Sequence, residues 1–69
     1  MKSIYDIQQF LKKYGTIIYI GDRLADLELM EEEFKELYQS QLIERQVFQT
    51  GILILRQEIA KLKDKQLKH

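Results

Sequence analysis

The chain has no cysteine, no proline, three glycines and a single histidine, which is the last of its 69 residues. Each shortage excludes something. Without cysteine there are no disulfides and no thiolate metal sites. With histidine confined to His69, the commonest neutral metal ligand is missing from the body of the fold. Long apolar runs are also missing: the longest, Ile52 to Leu55, is far short of the roughly 20 residues a bilayer requires. Near the start, Lys2 is followed by Ser3, Ile4, Tyr5 and then Asp6, so no apolar signal-peptide core develops. These absences lead us to expect a cytoplasmic protein with no membrane partner, no cofactor and no metal.

What remains is helix-forming. Leu, Glu, Lys and Gln dominate, and 45% hydrophobic with 32% charged residues is a folded composition. Residues 1–69 fit one domain. A single core of this size gives a margin of about 3–5 kcal/mol, so regular helix packing or self-association has to supply the stability. Net charge is zero but segregated. Residues 1–21 and 43–69 are basic, whereas residues 22–42 carry seven acids against Arg23 and Lys35.

Apolar periodicity predicts three helices, at about 4–14, 22–40 and 45–66. In the first, Ile4, Ile7, Leu11 and Tyr14 share a face beside Phe10. Ser3 is its N-cap, Asp6 resembles the acidic partner of a capping box, and Gly15 is the stop. The β-branched run from Thr16 to Ile20 disfavours helix and reads as a short extended connector. Asp22 caps the second helix, whose core face is Leu24, Leu27, Met30, Phe34, Leu37 and Tyr38. Leu29 falls on the opposite face. No glycine or proline marks the turn within Gln41 to Gln46. The third helix uses Phe48, Ile52, Leu55, Ile59 and Leu62, with Gly51 in the same stripe, and Leu53 and Ile54 pointing elsewhere. Gly51 costs about 1 kcal/mol in mid-helix unless a close helix crossing offsets it. From Lys61 the tail is basic, frayed and polar except for Leu67. The expected fold is all-α, a compact up-down-up three-helix bundle.

The stretch Tyr14-Gly15-Thr16, Tyr19, Gly21-Asp22-Arg23-Leu24 and Asp26-Leu27-Glu28-Leu29-Met30-Glu31 resembles the YqgQ family of small proteins from Gram-positive bacteria. So does Phe48-Gln49-Thr50 running into Ile52-Leu53-Ile54-Leu55-Arg56-Gln57-Glu58. The resemblance spans almost the whole chain. It implies a compact three-helix fold and little about activity, the family having no assigned enzymology, and it suggests single-stranded nucleic-acid binding.

The residues themselves give little purchase for catalysis. Ser3 and Ser40 lie at predicted helix ends with no base nearby in sequence. Acidic i,i+4 pairs such as Asp22/Asp26 and Glu28/Glu32 can share a proton or hold a hard cation, but Glu31-Glu32-Glu33 reads as a solvated helix face. A small bundle offers no obvious cleft. The expectation is therefore a non-enzymatic binding protein. In an up-down-up bundle the end of helix one, the start of helix two and the end of helix three share a pole. That arrangement gathers Lys12, Lys13, Tyr14, Tyr19, Arg23, Arg56 and Lys61 into a candidate site for single-stranded DNA or RNA, cations tracking phosphates and rings stacking on bases. Against it, Tyr14 lies on the core stripe, and Asp22 and Asp26 at that pole repel phosphate. The alternative is protein interaction or self-association through Leu29, Leu53 and Ile54, apolar residues left over once three helices are packed.

Overall fold

Capping chemistry sets the helix boundaries. The computed structural model describes residues 1–67, with side chains through Lys65. Its helices are α1 (Ile4–Lys13), α2 (Arg23–Gln39) and α3 (Arg45–Leu67). The tail expected to fray from Lys61 is instead helical to Leu67, and its last two residues, Lys68 and His69, lie outside the described residues. Ser3 Oγ accepts the Asp6 N–H at 3.3 Å. The Asp6 carboxylate in turn accepts the Lys2 N–H at 2.8 Å, one residue earlier than a capping box would have it. Asp22 Oδ1 accepts from the amides of Leu24 and Ala25, opening α2.

Both C-termini of the first two helices close in the same way. Beyond α1, Gly15 adopts φ +84°, and the Gly15 and Thr16 amides bond back to the carbonyls of Lys12 and Leu11. This is a Schellman motif. Beyond α2 the same pair of bonds runs from Gln41 to Tyr38 and from Leu42 to Leu37. Here the left-handed position (φ 61°) is occupied by Gln41, not glycine, so the sequence carries no mark of the turn.

The core joins Ile4, Ile7 and Leu11 of α1 to Leu27, Met30, Phe34 and Leu37 of α2, with Ile43 from the turn and Ile52 and Leu55 from α3. The most extensive packing is between the antiparallel α2 and α3. Tyr38 stacks on Phe48 with ring centroids 4.4 Å apart. One level further along, Phe34 lies against Gly51 so closely that a Cβ there would be 2.7 Å from Phe34 Cε1. The mid-helix glycine is thus the close crossing its cost requires. Phe10 of α1 stacks on the other side of this layer, 5.6 Å from Phe34.

The connector is extended as expected, and no strand occurs among the described residues. Two side chains of α2 hold it. Asp26 Oδ1 accepts the Ile20 N–H at 2.8 Å, and the Thr16 hydroxyl donates to Glu33 at 3.4 Å. Ile18 packs on the core, whereas Ile17, Tyr19 and Ile20 face solvent.

Candidate binding face between helix one and the connector

α2 separates two surfaces. At about 100° per residue, Asp26, Met30 and Glu33 fall on one side, toward α1 and the connector, while Glu28, Glu31 and Glu32 fall on the other. On the acidic side, Arg56 stands 3.9 Å from Glu31, and Lys35 pairs with both Glu31 and Glu32 at 3.2 and 3.6 Å. Those two carboxylates raise the Lys35 pKa, chiefly through the hydrogen bond to Glu31. Glu31 is therefore a half-buried member of an ion-pair network and not a solvated face. Lys61 is engaged within its own helix, 3.4 Å from Glu58.

These contacts divide the candidate cations. Arg56 and Lys61 are balanced by carboxylates, whereas among the described residues Lys12, Lys13 and Arg23 take part in no ion pair. Lys12 and Tyr19 line one groove of about 290 Å³, together with Gln8, Gln9 and Thr16, and with Leu11 and Met30 among its apolar residues. Tyr19 is 85% exposed, so its ring is open to a ligand. Lys13 lies round the helix, with Lys2, Asp6 and Gln9, in a second depression on α1. The Asp6 carboxylate there has its pKa lowered, first by the Lys2 backbone N–H that it accepts.

Tyr14 does not join this group. Its hydroxyl donates to the Leu42 carbonyl at 3.4 Å, in the turn after α2. With 17 residues, α2 is about 25 Å long, and it separates that turn from Arg23 at its other end. Tyr14 clamps the α1 C-terminus to the α2–α3 turn, a role invisible in a periodicity that shows only one apolar face. Asp26 also differs from expectation. Its side chain is buried and turned to the Ile20 amide, away from any phosphate outside.

The apolar trio also separates. Leu53, 59% exposed, is on the outer surface of α3, whereas Ile54 packs partly against the core. Leu29, 42% exposed, lies between Asp26 and Glu33 on the stripe of α2 that holds the connector. It adjoins the connector, where Ile17 and Ile20 are exposed beside Tyr19. The signal was there, in a charge-free β-branched run that no helix covers.

Among the described residues no three His, Cys, Asp or Glu side chains come together as a metal-binding group. No helix among them is long and apolar enough to cross a membrane. A family model described as YqgQ-like matches residues 1–61. The chain is also similar to the Bacillus subtilis (strain 168) protein described as "Uncharacterized protein YqgQ". The two are 41% identical over 64 residues, which cover 93% of this chain and 90% of that protein. On both comparisons, and on the three-helix fold described above, the chain belongs to the YqgQ-like family.

Proposed function

We propose that this is a non-enzymatic, cytoplasmic protein that binds single-stranded nucleic acid on the face formed by α1 and the connector. The observation that carries the reading is the exposed Tyr19 ring beside the unpaired Lys12 in one groove. A stacked base is worth about 1–3 kcal/mol and needs an open aromatic face. A phosphate needs a cation not already neutralised. Among the described residues Lys12 and Lys13 take part in no ion pair, whereas Arg23, at the far end of α2, lines neither depression. Gln8 and Gln9 add donors and acceptors along the groove. Arg56, Lys61 and Tyr14 drop out of the site, since their polar groups are already engaged.

Titration of a labelled oligothymidylate or oligouridylate at low and moderate salt tests this. Binding should weaken steeply with salt. Tyr19→Leu should cost about 1–3 kcal/mol with little change in salt slope, and Lys12→Ala with Lys13→Ala should flatten the slope. No binding at low salt, or full binding by the lysine variant, defeats the proposal.

A second reading, a protein-interaction module, is favoured by the exposed Ile17, Ile20 and Leu29. It moves the interaction surface from the α3 flank to the connector, and Leu53 remains as an isolated exposed residue. Insensitivity to salt distinguishes it.

A further inference from the structure

The connector is a stretch of extended backbone whose hydrogen bonds are incomplete. Among the described residues, the N–H groups of Ile17, Ile18 and Tyr19 have no acceptor in the chain. The run Thr16-Ile17-Ile18-Tyr19-Ile20 is β-branched or aromatic throughout and has no charge. Such a segment, left unpaired, is a template for a second strand. Its ends are also symmetric: Gly15 and Gly21, at φ +84° and +92°, bend the chain three residues before and three residues after Ile18.

We propose that this segment pairs antiparallel with the same segment of a second copy of the chain, about a two-fold axis at Ile18. The dimer then presents both Tyr19 rings on one face as the base-stacking platform, a clause that rests on the nucleic-acid reading above. The register follows from the structure. The Ile20 N–H points to Asp26 of α2, so Ile18 shares that edge, and the peptide groups of Ile17 and Tyr19 use the opposite one. Pairing across that free edge sets Ile17 against the partner's Tyr19, and Tyr19 against the partner's Ile17. Ile18 meets its counterpart at a non-hydrogen-bonded position, with Cα atoms about 4.5 Å apart.

The match is good on both faces. Ile–Tyr is a favourable cross-strand pair, and the two tyrosines become diagonal neighbours about 7–8 Å apart. A two-fold contact uses one patch twice, so the Ile17–Tyr19 match is made twice, which favours a second copy over an unrelated peptide. The contact is at the small end of specific interfaces, so the dimer is weak and concentration-dependent.

Single cysteines test the register cleanly, because the chain has none of its own. Under mild oxidation Ile18→Cys should form a disulfide dimer. Ile17→Cys alone should not, its Cα atoms being too far apart, but mixed with Tyr19→Cys it should. Leu53→Cys, exposed on α3, is the control for random collision. In sedimentation from micromolar to millimolar concentration, the parent should rise from the monomer mass toward twice that value. Ile17→Pro, which removes an edge N–H, should remain monomeric with unchanged helical circular dichroism. A parent that stays monomeric, or a Leu53→Cys chain that links as readily as Ile18→Cys, overturns the pairing. Oligonucleotide titration of the same samples separates the two ideas. Binding by a strict monomer sinks the pairing alone, whereas a dimer that binds no oligonucleotide keeps the pairing and removes the stacking platform.

Discussion

The α2–α3 hairpin and the α1–connector unit are built on different principles. In the hairpin, aromatic rings fill two levels of the seam, Tyr38 lying on Phe48 and Phe34 pressed on Gly51, and Glu31, Lys35 and Arg56 on the surface are paired. The connector is held by one amide–carboxylate bond, one hydroxyl–carboxylate bond and the partly buried Ile18. Its other large side chains face outward, and the nearby cations Lys12 and Lys13 take part in no ion pair among the described residues. A region that satisfies its own side chains contributes stability. The region that leaves rings, cations and amides unsatisfied is the one equipped to bind.

The largest effect that can sharpen this contrast comes from the hairpin. Gly51→Val forces atoms into the Phe34 ring and should cost about 3 kcal/mol, most of the margin of a domain this small. Combined with Phe34→Leu, it should cost less than the sum of the two single changes, as measured in a urea double-mutant cycle. Next, Asp26→Ala removes the acceptor for the Ile20 amide and should cost about 1–2 kcal/mol. Hydrogen exchange should show the Ile20 amide accelerated while amides at the Phe34 level stay protected. If both regions loosen together, the two units are not independent.

A smaller change, of opposite sign, is expected at the turn. Gln41→Gly relieves a left-handed residue and should stabilise by about 0.5–1 kcal/mol, read as a rise in the urea midpoint at unchanged slope. The smallest belongs to Asp6. Its folded-state pKa lies below the ordinary 3.8, so it contributes stability above that pH, and the contribution is lost as pH falls through the lowered value. Asp6→Asn should therefore be slightly less stable than the parent at neutral pH and converge with it in acid.

How far the sequence could be read follows from the same contrast. Ser3, Gly15 and Asp22 announced their caps, because those residue types have few other reasons to sit at such positions. The apolar stripes located the helices to within a residue, and Gly51 pointed to a close crossing. Gln41 was silent because its role is a backbone conformation that its side chain does not advertise. Asp26 shares a helix face with Asp22 in sequence, so its turn inward to the Ile20 amide required the path of the connector. Tyr14 reads as core by periodicity and proves to be a clamp on Leu42, 28 residues away. Leu53 and Ile54 differ by one helical step of about 100°, enough to send one outward and the other against the core. Periodicity defines faces within one helix, but which faces meet is tertiary information.

The most direct test of the central claim, that binding belongs to the α1–connector face, is amide chemical-shift mapping as a short oligothymidylate is titrated into the protein. The account predicts perturbations concentrated between Gln8 and Arg23, largest near Lys12 and Tyr19, with Arg56 and Lys61 on α3 unmoved. Shifts centred on Arg56 and Lys61, with residues 8–23 silent, would contradict it.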